Sequence, residues 1–214
     1  MAVVTDPKFK FSGKLEGFVF RRRNGKIIVS AAPAQYTKSM SKEAVEMRKN
    51  FSAAAKFAGE VNSIPELKEI WKNAGVPGSS SFNKIVKSAR DAAEGGKITD
   101  KAKITPDGLP LDLKGLKRER DITRMSFSID KKKLRAPYLL FLFFFFNKNR
   151  IYNQVEEISI PGGKKVNTAN IKLNHSIKKA LNEKRKPVIF CALSGKPVQD
   201  KIYWTSTAAV KIND

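Results

Sequence analysis

Few side chains in this sequence have a type and spacing that could support catalysis. The one histidine, His175, lies between Asn174 and Ser176, with no cysteine or carboxylate near it in the sequence. A histidine that acts as a general base needs its reacting partner within hydrogen-bond reach and a suitably tuned pKa. The neighbouring sequence offers neither feature, so we expect His175 to be a surface residue or a hydrogen-bonded polar residue.

The one cysteine and the one adjacent pair of acidic residues also argue against an enzyme. Cys191 lies inside the apolar run 188–193, where burial should raise the pKa of its thiol. Glu156 and Glu157 are neighbours on a predicted strand, so their side chains point to opposite faces and cannot share a proton or a metal ion. No glycine-rich loop ends in the Lys-Ser or Lys-Thr of a nucleotide site. The sequence predicts no enzyme activity, cofactor, metal ion or small-molecule substrate.

Positive charge is the unusual property of the chain. The 214 residues include 42 Lys and Arg against 20 Asp and Glu, a net charge of +22. Cations outnumber anions both before and after Pro110, so no single tail carries the excess. Such a surplus attracts nucleic acid, an anionic membrane or an acidic protein without any reading of sequence. We expect a polyanionic partner, with nucleic acid first; the alternative is a protein that its lysines merely keep soluble.

The candidate phosphate contacts are basic runs at predicted turns, loops and strand ends. They are Arg21, Arg22, Arg23, Lys26, Lys117, Arg118, Arg120, Lys131, Lys132, Lys133, Arg135, Lys184, Arg185 and Lys186. Strand side chains alternate, so Arg21 and Arg23 should share one face of a hairpin and Arg22 should lie on the other. These groups could contact phosphates without reading bases, or the runs could simply be solvated.

The N-terminal part should contain a β-hairpin followed by helices. In GFVFRRRNGKIIV (17–29), the pair Asn24-Gly25 suits the positive φ angles of a two-residue type I′ turn. A first helix should begin after Ser41, a second near a capping-box spacing at 63–66, and a third should run from about 79 to 93. The first helix is expected to bury Ala44, Met47, Phe51, Ala54 and Ala58.

A dense turn signal at 105–110 separates this helical part from a β-rich part. We place a domain boundary there, with an N-terminal arm, hairpin and helical domain over 1–110 and a sandwich over 111–214. Strands are predicted at 111–116, 122–129, 137–147, 155–160, 170–173, 188–193 and 201–212. Seven short strands indicate an antiparallel sandwich with immunoglobulin-like or fibronectin-like connectivity. The predicted fold class is α+β, and 176–186 is either a short helix or a charged crossover loop.

The longest apolar run, YLLFLFFFF at Tyr138–Phe146, is too short to cross a bilayer, which takes about 20 helical residues. Its length suits a strand that is buried on both faces, as in a sandwich core or an interface, and a short amphipathic insertion is the less favoured alternative. Residues 1–11 lack the apolar stretch of a secretory signal. The expected location is the cytoplasm without a membrane span, with association with a virion as an alternative.

The segment GKLEGFVFRRRNGKIIVSAAP (13–33), followed by the helix that bears Arg48 and Phe51, resembles an uncharacterised family of small basic bacterial proteins. In that family a Gly-Lys-x-x-Gly hairpin entry and a Gly-Lys-hydrophobic return precede helices and a β-rich end. The resemblance loosely covers the whole chain. The family has no established activity, so the resemblance implies an architecture and no function.

Two function classes fit these observations. The first is a nucleic-acid-associated protein whose charges contact phosphates. The second is a structural subunit of a homo-oligomer or larger assembly, such as a virion, filament or shell, in which an extended arm at 3–33 and the sandwich make the subunit contacts. The two are compatible, because a particle component that lies near a packaged genome would also be basic.

Overall fold

The structure is a computed structural model and describes residues 2–4, 13–23, 25–32, 38–119, 122–129, 134, 138–146, 150–160, 166–183, 187–195 and 202–211. The helices are α1 (Lys42–Asn62), α2 (Pro65–Asn73), α3 (Ser81–Arg90) and α4 (His175–Asn182). The strands are β1 (Ala2–Val4), β2 (Gly13–Leu15), β3 (Phe18–Arg23), β4 (Lys26–Ala31), β5 (Ala93–Glu94), β6 (Lys97–Ile98), β7 (Leu111–Glu119), β8 (Ile122–Ile129), β9 (Tyr138–Phe146), β10 (Arg150–Ile158), β11 (Asn167–Lys172), β12 (Val188–Gly195) and β13 (Ala208–Lys211). The chain forms two compact units, Met1–Ser41 and Lys42–Asp214.

The first unit is built around an antiparallel sheet with the strand order β1-β4-β3-β2. The predicted hairpin is confirmed: Arg23 pairs with Lys26, and Gly25 has φ 76°. At this angle a side chain would be strained, which is why the turn needs glycine. The expectation of an extended arm over 3–33 is wrong, because β1 and β2, which both precede the hairpin, pair with β4 and β3 and form a sheet.

The helical region starts directly after Ser41, as the sequence predicts. Helix α3 is capped by Ser80, whose hydroxyl accepts a hydrogen bond from the Asn83 amide at 3.2 Å. The capping box predicted for α2 is wrong: Ile64 occupies the cap position, and no side chain caps the helix. The Ser63 hydroxyl instead donates to the carbonyl of Glu60 at 2.7 Å, because the chain at this point is still leaving α1.

Helix α1 packs on the core through its C-terminal half only. Phe57 and Val61 are fully buried there, whereas Met47 is 71% exposed and Phe51 is 56% exposed. The prediction that Met47 and Phe51 pack in the core is therefore wrong. At 21 residues the helix is ~31 Å long and extends beyond the surface on which it packs.

Each of the seven ranges predicted for the C-terminal part overlaps a strand, and these strands form two antiparallel sheets. The last prediction, 201–212, is too long, because β13 covers only Ala208–Lys211. One sheet has the order β11-β8-β7 and the other β10-β9-β12-β13. Strand β8 covers Ile122–Ile129, the range that its period-two alternation predicts. The ambiguous segment at 176–186 begins with helix α4, capped by the Asn174 side chain. With its helices and antiparallel sheets, the chain is an α+β protein.

Strand β9, the Phe-rich run, is buried on both faces. Phe143 and Phe145 point to the helices, and the Phe145 ring lies 5.2 Å from Phe57 and 5.0 Å from Phe190 between centroids. Leu142 and Phe144 point to the other sheet. The second unit thus stacks helices, a four-stranded sheet and a three-stranded sheet. The boundary predicted after Pro110 falls inside this unit, because residues on both sides of it share one core.

The turn-rich segment at 102–110 is fixed to the C-terminal part of the chain. Thr105 is fully buried, and its hydroxyl donates to the carbonyl of Thr205 at 2.8 Å. The Thr105 amide donates to the Thr207 hydroxyl at 2.9 Å, and the Leu109 amide donates to the Trp204 carbonyl at 2.9 Å. These bonds close a loop of about 100 residues and hold the segment against residues 204–207.

We expect the substitution Gly108→Ala to destabilise the second unit. A Cβ at this position would lie 2.6 Å from the Trp204 carbonyl oxygen and 2.6 Å from its ring Cδ1. Overpacking of this kind costs about 1–3 kcal/mol. The free energy of unfolding in urea measures the loss. The control is Gly59→Ala on α1, where a Cβ meets no atom within 4 Å and alanine should stabilise the helix by about 1 kcal/mol. Equal effects at both sites would contradict the prediction.

Candidate nucleic-acid interface

The N-terminal sheet brings three basic side chains to one face. In the strand register Lys14 pairs with Val19, Arg21 with Ile28 and Lys26 with Arg23. Side chains of paired residues share a face, as do those two positions apart on one strand, so Lys14, Arg21 and Lys26 all point to the same side. All three are exposed, and we call them the hairpin cations. Strand spacing and rise put neighbouring members ~8 Å apart at their Cα atoms.

The opposite face of this sheet is largely apolar. Arg22 pairs with Ile27 on that face, where Ile27 is buried and Arg22 is exposed. Phe18 and Phe20 follow on the same side of β3. The predicted separation of Arg21 from Arg22 is therefore confirmed. The sheet therefore presents three cations on one side, and aromatic rings together with Arg22 on the other.

The C-terminal basic runs are placed only in part by the structure. Lys117 is exposed on β7 and pairs with Arg124 of β8, and the backbone of Arg118 pairs with Thr123. The predicted contacts outside the described residues are Arg120, Lys131, Lys132, Lys133, Arg135, Lys184, Arg185 and Lys186. The structure thus brings Arg21 and Lys26 together within the first unit and places Lys117 in the second.

Lys14 lies outside the predicted basic runs although it completes the face. It is a single lysine on a three-residue strand, and a strand of that length leaves little alternation to detect. The turn that brings it beside β3 does leave a signal. Gly17 has φ 77°, and a glycine in Gly-Phe-Val-Phe could have indicated a second turn.

The side chains that could support catalysis are dispersed. His175 is the exposed first residue of α4. Cys191 is fully buried, and desolvation by burial raises the pKa of its thiol to about 12, as the sequence predicts. Glu156 accepts a hydrogen bond from the Gln154 amide at 2.6 Å. Within the described ranges, no three His, Cys, Asp or Glu side chains are grouped so that they could hold a metal ion.

The described helices include none that is both long and apolar enough to cross a membrane. No family model matches the chain, and no curated protein matches it. These comparisons therefore indicate no activity and no site for the chain. The resemblance to small basic bacterial proteins stays a prediction. The charge and polarity of the exposed faces therefore provide the evidence on function.

Proposed function

We propose that this chain is a non-enzymatic binding protein that contacts nucleic acid through the phosphate backbone without reading bases. The observation that carries the proposal is the row of hairpin cations on one exposed sheet face. Glu16 is the one acidic residue described in the first unit, and it lies in the turn between β2 and β3. A phosphate that approaches this face would therefore meet three cations and no opposing charge.

The chemistry of the face favours phosphates over base edges. Besides the hairpin cations, its described side chains are Val19, Ile28 and Ser30. Asn and Gln, which pair with adenine, are absent from the described part of this face. Lysine and arginine that meet only phosphate oxygens supply affinity and orientation without sequence information.

We expect removal of the hairpin cations to weaken binding and to reduce its salt dependence. In the triple variant K14Q/R21Q/K26Q, three phosphate contacts are lost, so the slope of log affinity against log salt should fall by about 2.7 on a duplex and by about 2.1 on a single strand. The affinity at about 50 mM salt should fall at least tenfold, the equivalent of about 1.4 kcal/mol. Fluorescence anisotropy with a labelled duplex and a labelled single strand, from about 50 to 200 mM salt, measures both changes.

The matched control is K68Q/K87Q/K97Q, which removes the same charge from exposed positions on α2, α3 and β6. This variant should keep most of the affinity, because general attraction depends on net charge whereas contact depends on position. Equal losses of affinity in the two variants would show that the hairpin cations act only through the overall net charge. Absence of binding by the unmodified protein at about 50 mM salt would refute the proposed function.

We also propose that the seven strands β7 to β13 form a sandwich of the immunoglobulin or fibronectin type. In such folds the first, second and fifth strands share one sheet, and the third, sixth and seventh share the other. The strand orders β11-β8-β7 and β10-β9-β12-β13 fit this division. The fourth strand, β10, pairs with the third, which makes the sheets three-stranded and four-stranded.

A structural subunit of a larger assembly is the second candidate function. The exposed apolar side chains of Met47 and Phe51 on α1, and of Leu15 and Phe18 on the N-terminal sheet, support it. Exposed apolar patches commonly mark protein interfaces. Strand β9 lends no support, because its own chain buries it on both faces. Size-exclusion chromatography with light scattering tests this candidate, and a monomer at high concentration would refute it.

A further inference from the structure

The three-stranded sheet has an outward face that carries cations from all three of its strands. Lys117 on β7 pairs with Arg124 on β8, and Arg124 pairs with Asn170 on β11. Lys172 lies two residues beyond Asn170 and therefore on the same side. Lys117, Arg124 and Lys172 are all exposed, and we call them the sandwich cations. Of the three, the predicted basic runs contain Lys117 alone.

The inward side of the same strands fixes the direction of these groups. Met125 and Phe127 are fully buried between the two sheets, so the alternate residues Arg124 and Ser126 point outward. The Arg124 Nε donates to the Asn170 Oδ1 at 3.4 Å, which holds the guanidinium along the surface of the sheet. The buried side chains on the inward side thus fix the strands, and with them the backbone positions of the sandwich cations.

Polar groups surround the sandwich cations on this face. Ser126 pairs with Thr168 one row along from Arg124 and Asn170, and all of these side chains can donate to phosphate or sugar oxygens. Asp112, the acidic side chain described on the outward side, forms an ion pair with Lys114. The face therefore presents cations together with neutral hydrogen-bond donors.

We propose that this outward face of the three-stranded sheet is a second nucleic-acid contact, which binds backbone phosphates through Lys117, Arg124 and Lys172. This inference rests on the proposed function and extends it from one site to two. Strand spacing and rise place Lys117 and Lys172 ~12 Å apart at their Cα atoms. One DNA strand carries a phosphate about every 3.4 Å along the helix axis, so cations this far apart reach different phosphates.

The composition of the face favours nucleic acid over a membrane surface. Proteins that lie on membranes insert apolar side chains below the headgroups. On β7, β8 and β11, the outward side chains that the structure describes are polar or charged. Serine, threonine and asparagine suit the phosphates and sugars of a nucleic acid.

Two contacts in one chain have a measurable consequence. Where one nucleic acid reaches both faces, binding at the first raises the effective concentration at the second, so the two contacts reinforce each other. A long nucleic acid that reaches both faces is then bound more tightly than a short one that occupies a single face. Loss of either face removes this reinforcement.

The test compares full-length K117Q/R124Q/K172Q with the unmodified protein and with K68Q/K87Q/K97Q, by anisotropy on labelled duplexes of two lengths. We expect the salt slope to fall by about 2.7 and the advantage of the longer duplex to disappear. Thermal melting establishes that the variant is folded. Should it melt early, K117Q/K172Q leaves the Arg124–Asn170 contact intact and should lower the slope by about 1.8.

The outcomes separate this inference from the proposed function. If the unmodified protein binds nucleic acid but the sandwich-cation variant keeps the slope and length dependence of the control, the second contact is refuted and the proposed function stands. If the unmodified protein binds no nucleic acid at about 50 mM salt, the proposed function fails first. Binding to phosphatidylserine-containing vesicles, without binding to nucleic acid, would also refute the inference.

Discussion

Replacement of Phe190 by alanine is expected to destabilise the helices and both sheets together, by about 3–5 kcal/mol. Phe190 is fully buried on β12, with its ring 5.0 Å from that of Phe145 and 6.4 Å from that of Phe57. The side chain thus fills the junction between α1 and the four-stranded sheet. A cavity there removes contacts from both layers, and the loss is a large share of the 5–15 kcal/mol typical of a whole domain.

Urea unfolding tests this expectation when helix content is followed by circular dichroism and core packing by tryptophan fluorescence. Because Trp71 and Trp204 both pack against this core, the two signals should change in one shared transition that moves to lower urea in the variant. The control is Phe51→Ala, the same change at an exposed position of α1, which should cost little. Two separate transitions in the unmodified protein would instead favour independent domains divided at Pro110.

Alkaline pH is expected to weaken the fold through Cys191. Burial raises the pKa of its thiol to about 12, whereas the thiol of the unfolded chain ionises at its ordinary value of 9.0. Folding therefore keeps a proton that the unfolded chain releases. The stability gained by burying the neutral thiol is complete below pH 9 and is lost as the pH rises towards 12. Three pH units correspond to an upper limit of about 4 kcal/mol.

The free energy of unfolding of the unmodified protein and of Cys191→Ala, measured at pH 7.5 and 10.5, tests this expectation. All other ionisable groups are common to both proteins, so the difference in stability between the two proteins isolates the thiol. The unmodified protein should lose about 2 kcal/mol more than the variant between the two pH values. Folded protein should also leave Ellman's reagent unreacted until urea exposes the thiol. Equal pH dependence in the two proteins would show that Cys191 does not titrate on unfolding.

Local patterns predicted the elements well, because strands and turns leave their signals in adjacent residues. The alternation in 122–129 located β8, and Asn24-Gly25 located the β3–β4 turn. A helical stripe, by contrast, shows which face of α1 is apolar but not how far the core extends beneath it. Met47 and Phe51 therefore fit the stripe and still lie outside the core. The turn signal at 105–110 was real, yet Thr105 is buried by partners about 100 residues away.

The candidate contact faces were harder to predict, since strand register assembles them from residues distant in sequence. Arg124 and Lys172 are isolated basic residues and belong to no run. They share a face only because β8 pairs with both β7 and β11. Runs such as Arg21-Arg22-Arg23 are easy to recognise in a sequence. Strand side chains alternate, however, so Arg21 and Arg22 lie on opposite faces. Cations on different strands come together on one face when they are cross-strand neighbours. The pairing register of the strands is needed to recognise such a face.

The placement of β9 has a consequence for how the chain reaches its native state. An uncharged, proline-free run of large apolar residues is the composition that stacks into amyloid-like cross-β fibrils when it is exposed. The native sheet protects it, with β10 and β12 on its two edges and apolar layers on its two faces. Before these layers close, the net charge of +22 opposes the association of newly made copies, because like charges repel. A polyanion that neutralised the chain too early would remove that protection and promote aggregation.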